Sequence, residues 1–281
     1  MRFAVIAHKV SETNMGLASR GWQGARPHLL APRDALLALG RGDVALNRLD
    51  VSDDFDGVEE GNWIVNQLEA QGVRVFNRPA ALLAAHDKLI TARLLKAAGV
   101  PHPPTRRLTS PASAAGLAFP VVAKPRFGSW GRDVELCADG DALASYVGRM
   151  KSRPWWRAGA IVQELARPHS RDLRIIVSGG EVAGAASRLA AAGEWRTNVA
   201  LGGTVISAVP RSDARELAIR ATRALGIDVA GVDLLPVIDT WTVLEVNGAV
   251  DVRPLYALER DVFEAMLAPL ERAVLKPALL A

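Results

Sequence analysis

The chain has 281 residues, enough for one large domain or two to three small ones with real cores. It is 49% apolar and 23% charged, which excludes disordered, collagenous and low-complexity architectures, and one cysteine, Cys137, excludes a disulfide framework or a cysteine metal cluster. The net charge is +4 and the isoelectric point about 9.6, which flags nucleic acid, but the arginines are scattered, and anionic small molecules or an acidic partner fit equally well. No apolar run reaches membrane-spanning length, and the stretch Phe3–Ala7 is too short for a signal peptide. The expectation is a soluble cytoplasmic protein with no membrane partner.

In chain order, residues 2–7 predict a strand, 28–39 a helix, 44–51 a short apolar stretch, 63–70 a helix and 72–76 a strand closed by Asn77-Arg78-Pro79. Alternating strands and helices imply an α/β unit with a mostly parallel sheet, placed at residues 1–80. Asp87 is a plausible N-cap for a helix over 87–98 whose apolar face is Ile90, Leu94 and Ala97. After a proline-bearing linker, 119–124 predicts a strand, 125–132 a glycine-bearing loop, 133–137 a return strand and 141–151 a helix, giving a central unit over 81–160. The last unit, 161–281, opens with a strand at 161–165. A hairpin follows, of strands 172–177 and 182–188 about a Ser-Gly-Gly-Glu turn. A helix at 213–225 ends at Gly226, and strands follow at 231–235 and 241–247.

Several familiar motifs are absent. Gly40-Arg41-Gly42 follows a helix and precedes a strand, the reverse of a dinucleotide fingerprint, so it reads as a loop. There is no Walker A, H-E-x-x-H or G-x-S-x-G sequence. The five histidines (8, 28, 86, 102 and 169) show no ligand spacing and read as surface or loop residues, His8 being the best exception.

The strongest chemical signal is C-terminal. Glu245 and Asn247 alternate onto one strand face, and a hairpin centred near Asp239-Thr240 sets Asp233 opposite Glu245. Three oxygen donors then converge, a set suited to magnesium completed by water and phosphate oxygens; three solvent-facing polar residues are the bland alternative. Lys124 stands at the end of a strand, and Gly128 and Gly131 lie in the loop behind it. A phosphate site or an ordinary surface hairpin would both fit. Lys88 opens the helix behind Asp87. Asp172 and Arg174 share a strand face, with Arg188 at the end of the paired strand, so they form either a phosphate-binding pair of arginines or a cross-strand salt bridge.

In this order along the chain, over about residues 75–255, the signals resemble the ATP-grasp ligases, in particular RimK-like carboxylate–amine ligases. The resemblance implies an α/β ATP-grasp fold: an N-terminal parallel-sheet subdomain and two subdomains that clasp ATP between antiparallel sheets. It implies Lys88 and Lys124 as ATP-contacting lysines and Gly128, Ser129, Trp130, Gly131 and Arg132 as the loop over the phosphates. Gln163, Glu164 and Leu165 would be the hinge that reads adenine. Asp172 would lie at the end of that segment, and Arg174, Arg188 and Asn198 would stand at the reaction centre. Asp233, Glu245 and Asn247 would hold two magnesium ions, or manganese. The implied reaction joins a carboxylate to an amino-acid amine, glutamate or a relative, through an acyl phosphate. The acid would be a small molecule or a carrier-protein C-terminus. A non-catalytic ATP-binding regulator is the alternative, and related enzymes are commonly homo-oligomers.

Gly128–Arg132 and Trp195-x-Thr197-Asn198 are similar to the branch that loads glutamate or 2-aminoadipate onto an amino-group carrier protein. Two departures fall on the substrate side. Leu201 stands where an arginine precedes the paired glycines in that branch, and Gly248–Arg253 replaces a Ser-Pro-Gly-like segment.

Overall fold

The computed structural model describes residues 1–24, 26–166 and 170–275. Three sheets organise it. The N-terminal part runs β1 (Phe3–Ile6), α1 (Glu12–Ser19), β2 (His28–Leu30), α2 (Pro32–Ala38), β3 (Val44–Asn47), α3 (Asn62–Ala70) and β4 (Arg74–Phe76). Its four strands are all parallel, in the order β2-β1-β3-β4. The expected helix over 28–39 begins later than predicted. His28–Leu30 pairs with β1 as a strand, and Pro32 opens the helix at its first turn, where a missing N–H costs nothing. The short helix α1 carries no sustained apolar period, which is why pattern reading passed over it.

Two helices follow, α4 (Pro79–His86) and α5 (Lys88–Ala97). Asp87 caps α5 as expected, its carboxylate accepting from the N–H groups of Leu89 and Ile90. The buried face differs from the expected one: Leu89, Ala92 and Leu95 point inward with Thr91, while Ala97 is exposed. Leu82, Ala85 and Leu95 pack in the same core as the last sheet, so these helices brace the C-terminal unit.

The central sheet contains β5 (Thr105–Leu108), β6 (Val121–Pro125), β7 (Glu135–Cys137) and β8 (Ala160–Glu164), with α6 (Gly140–Met150) behind it, in the antiparallel order β5-β8-β6-β7. The strand at 160–164 thus belongs to the central sheet. The expected boundary at 160 falls one strand too early, because a lone strand carries no mark of the sheet it will join.

The last sheet is β11-β10-β9-β12-β13, antiparallel throughout: β9 (Arg171–Ser178), β10 (Glu181–Leu189), β11 (Thr204–Ser207), β12 (Val229–Val237) and β13 (Thr240–Asn247). Helices α7 (Ser212–Leu225) and α8 (Val262–Leu275) complete it. Period-two alternation divides β9. Leu173, Ile175 and Val177 enter one core with Ala214, Leu217 and Ala221 of α7, while Ile176 enters the other with Met266 of α8. Asp172 and Arg174 share the Ile176 face, beyond the apolar part.

Asn77 locks the first sheet to the last. It is fully buried in a left-handed conformation (φ 56°), and its amide donates to the carbonyls of Val229 and Gly248 while its oxygen accepts from the N–H groups of Asp228 and Val229. Asn77→Ala should therefore lower the unfolding free energy by roughly 3 kcal/mol, since buried backbone groups lose their partners. Urea denaturation followed by circular dichroism checks this.

Candidate active site

The β12–β13 hairpin sets Asp233 directly opposite Glu245, the expected register. Its turn is displaced by a bulge between Asp233 and Leu234 in the pairing, which leaves Leu244 without a partner. The bulge turns Val243 and Val246 both into the core, while Glu245 and Asn247 stay on the cleft side. Gly231 faces Asn247 across the ladder, and Val250 lies so close above it that any side chain there would collide.

Asp233 is the centre of a buried charge network. Arg174 donates to its two oxygens at 2.7 and 2.8 Å, and Arg188 donates at 2.6 Å. Arg188 also binds Asp172, its partner across the β9–β10 ladder, and the Thr197 hydroxyl donates to Asp172 at 2.5 Å. Despite burial, the two arginines hold the Asp233 carboxyl down at about 2, so it is ionised at neutral pH. The Asp172/Arg174/Arg188 set is thus a salt-bridge system, in which Asp172 and Arg188 also line the cleft and Arg174 lines the pocket beside it.

The cleft lies between the central and last sheets. Lys88, Lys124, the loop 128–132 and the strand end Gln163-Glu164-Leu165 line it, with Asp172, Arg188, Asn198, Asp233 and Glu245. Arg174 and Asn247 instead face an adjoining pocket, which shares Ser129, Trp130, Arg188, Asn198 and Glu245 with the first. The sequence-selected residues thus gather around two connected cavities.

Each basic residue is held. Lys88 bridges the units, donating to the Gly128 carbonyl at 2.6 Å and lying 3.2 Å from Glu245. Lys124 is buried and donates to Gln163 Oε1 at 2.9 Å; burial first, then the charge of Lys88, pulls its amine down to about 8. Gln163 in turn donates to the Thr105 hydroxyl at 2.8 Å, so its side chain positions Lys124. At the strand end, the Glu164 N–H is taken by Pro104 O, while the Leu165 N–H reaches Pro120 O only at 3.4 Å.

The glycine loop is closed over the cleft. Trp130, Gly131 and Asp133 have positive φ, and a side chain at Gly131 would press on Asn198 and Leu201. Arg196 donates to the carbonyls of Gly131 and Val134 at 3.0 and 3.3 Å, and its ion pair with Glu194 steadies it. On the other side, the Arg132 guanidinium lies 4.4 Å from the Phe55 ring and 4.8 Å from that of Trp130. Arg126 anchors the loop base, its Nε donating to the Asp87 carboxylate at 2.8 and 2.9 Å.

Sequence reading did not find Arg196, Arg126 or Asp50. Arg196 stands at the unspecified position of Trp195-x-Thr197-Asn198, and its role arises only when the two loops meet. Of the histidines, His8 is exposed and bonds the Glu60 carbonyl away from the cleft, whereas His86 is buried and faces Asp50, contrary to its reading as a surface residue. His169 lies outside the described residues.

Asp233, Glu245 and Asn247 fit a hard cation by their donor chemistry. One lone pair of Asp233 Oδ1 is left after the arginines are served, Glu245 has a single ion pair, and Asn247 lines the cavity next to it. Among the described residues no group of three or more acidic, histidine or cysteine side chains could hold a metal, so such a cation would take its remaining ligands from elsewhere.

Two sheets clasping a basic cleft under a glycine loop are the architecture of the ATP-grasp class. Within that class, the chain belongs to the RimK-like ATP-grasp domain family, whose pattern matches residues 85–268. It is 34% identical over 219 residues to a probable alpha-L-glutamate ligase of Parasynechococcus marenigrum, covering 75% of this chain and 46% of that one. It is 33% identical over 218 residues to a tetrahydromethanopterin:alpha-L-glutamate ligase of Methanosarcina acetivorans, covering 74% and 64%. The match therefore spans less than two thirds of either relative. The crystal structure of a RimK domain ATP-grasp protein from Sphaerobacter thermophilus superposes with a TM-score of 0.70 at 23% identity, over 95% of this chain and 98% of that one, which shows a shared fold. No described helix is long and apolar enough to cross a membrane.

Arg196→Ala should loosen the glycine loop without unfolding the sheets. Amide deuterium uptake over residues 128–134 should rise roughly tenfold, the effect of losing about 1.4 kcal/mol of local hydrogen bonding. Uptake in β9 should not change.

Proposed function

We propose that this chain is an ATP-dependent carboxylate–amine ligase. The observation that carries this reading is the pair of connected cavities. A basic cleft under the glycine loop shares Arg188, Asn198 and Glu245 with a second pocket lined by Arg174 and Arg253. That arrangement suits a phosphate donor on one side and a carboxylate on the other.

In this reading ATP occupies the first cleft, its adenine against Gln163-Glu164-Leu165 and its phosphates under Gly128–Gly131, near Lys88 and Lys124. A carboxylate oxygen of the acid attacks the γ-phosphorus and ADP leaves, giving an acyl phosphate. The amine nitrogen then attacks the acyl carbon, phosphate leaves, and an amide remains. Arg188 faces both cavities and is oriented by Asp172 and Asp233, so it meets phosphate without reorganising. Arg174 and Asn198 stand beside the acyl group. The closed loop excludes water that would hydrolyse the acyl phosphate. No protein nucleophile is required, because positioning and fixed charge do the work. Asp233, Glu245 and Asn247 would hold two magnesium ions, or manganese. When bound, the metal neutralises charge on the phosphates.

The amine is glutamate or a relative, as the names of the relatives suggest. The acid is a small molecule or the C-terminus of a carrier protein; of the two departures, Ala249, Val250, Asp251 and Arg253 line the second pocket, and Leu201 packs against Gly131 of the glycine loop.

The test is positional isotope exchange in ATP labelled at the β–γ bridge, with magnesium and single carboxylic acids, including peptides that end in glutamate, and no amine. Scrambling with one acid is expected. No scrambling and no acid-dependent ADP formation, with or without amines, would overturn the reading.

Two further outcomes follow from the site. Glu245→Gln should reduce turnover by roughly a hundredfold or more, since it removes the charge facing Lys88 and the metal, while the protein stays folded by circular dichroism. ATP affinity should be flat below pH 8 and fall as pH rises past the Lys124 value of about 8, because phosphate binds the charged amine. The fall should approach about tenfold per pH unit and vanish in Lys124→Met, as titration calorimetry across pH 6.5–9.5 (about three units) would read.

A further inference from the structure

The second pocket has an acidic wall that the chemistry above does not use. It comes from the N-terminal sheet. In the order β2-β1-β3-β4, chain connections diverge on either side of β1 and β3, and open parallel sheets take ligands in the crevice beyond the carboxyl ends of strands at such a point. Asp50 lies three residues beyond β3 and lines the pocket together with Arg174, Arg188 and Arg253, with no ion pair to any of them among the described residues.

What stands behind Asp50 is unusual. His86 is buried, and its Nε2 lies 3.0 Å from the Leu49 carbonyl, so Nε2 carries the proton and Nδ1 is a bare lone pair. That Nδ1 has no hydrogen-bond partner and lies 4.0 Å from Asp50 Oδ1. Two acceptors therefore face each other with no donor between them. Asp50 Oδ1 accepts only the Val51 N–H, at 2.7 Å. Among the described residues neither neighbouring cation comes within ion-pair distance of Asp50: Lys9 pairs with Asp53 and Glu59, and Arg48 bonds Asn14 and the Val250 carbonyl and leaves its Nη1 without a hydrogen-bond partner. Glu59, Glu245 and Asp251 add negative charge nearby. Burial first, and then Glu59, push the Asp50 carboxyl above the usual range, against the opposing pull of His86, the Val51 N–H and Lys9.

We propose that Asp50 receives the ammonium group of the amine substrate, while the arginines of the pocket receive carboxylate. The N-terminal sheet, and not the two clasping units, then selects the amine. This rests on the ligase reading above. It makes the pocket two-poled, suited to a zwitterionic amino acid.

The test compares two amines on wild type and Asp50→Asn, with ATP, magnesium and the acid that supports isotope exchange. L-Glutamate presents an ammonium group. Hydroxylamine is neutral and converts the acyl phosphate to a hydroxamate and free phosphate. Asparagine keeps the oxygen that accepts from Val51. The ratio of glutamate-dependent to hydroxylamine-dependent kcat/KM should fall at least about tenfold in the variant, mostly through the KM for glutamate. If Asp50→Asn does not fold, Asp50→Glu, which displaces the charge, should lower the same ratio. A ratio unchanged within about twofold in a folded variant overturns this inference and leaves the ligase reading standing. A wild type that forms neither amide nor hydroxamate with any acid overturns the ligase reading, and this inference with it.

Discussion

The site depends on one carboxylate. Asp233 is buried on β12, next to the edge strand β13 of the last sheet, and it orients both Arg174 and Arg188. A lone buried carboxylate would be costly, and so would a lone buried arginine. Paired with Arg174 and Arg188, and through Arg188 with Asp172, the four charges balance within one network. Removing any one partner would leave another uncompensated, a loss of about 3–5 kcal/mol in comparable networks. The same constraint gives Arg188 a single orientation, toward both cavities.

Around that network the cleft is assembled by contacts between units. Lys88 joins the start of α5 to the glycine loop and to Glu245. Arg196 joins the segment after β10 to the same loop, and Arg132 joins it to Phe55 of the N-terminal part. Each of these is a long, charged side chain reaching a backbone carbonyl or an aromatic face. The loop is thus held over the cleft by a few polar contacts. Asn77, in contrast, ties the first sheet to the last through fully buried hydrogen bonds.

Much of this was legible in the residue order. Strand alternation placed Glu245 and Asn247 on one face, and hairpin symmetry placed Asp233 opposite Glu245, although the bulge at Leu244 could not be foreseen. The Asp87 cap, the glycine loop and the β9–β10 hairpin were read from local rules that need only a few neighbouring residues. The errors have a common cause. Helix α1 lacks an apolar period, His28–Leu30 is a strand only because β1 lies beside it, and the inward face of α5 is decided by the helices and sheet it packs on.

The sequence by itself determined the local elements, the chemical inventory and the family, because capping, alternation and turn chemistry act over a few residues. Tertiary structure alone decided which charges meet. Arg196 reaches Gly131, Asp87 reaches Arg126, and His86 stands behind Asp50 across separations of tens of residues. Electrostatic pairing and burial depend on distance in space, and no periodicity in the chain encodes it.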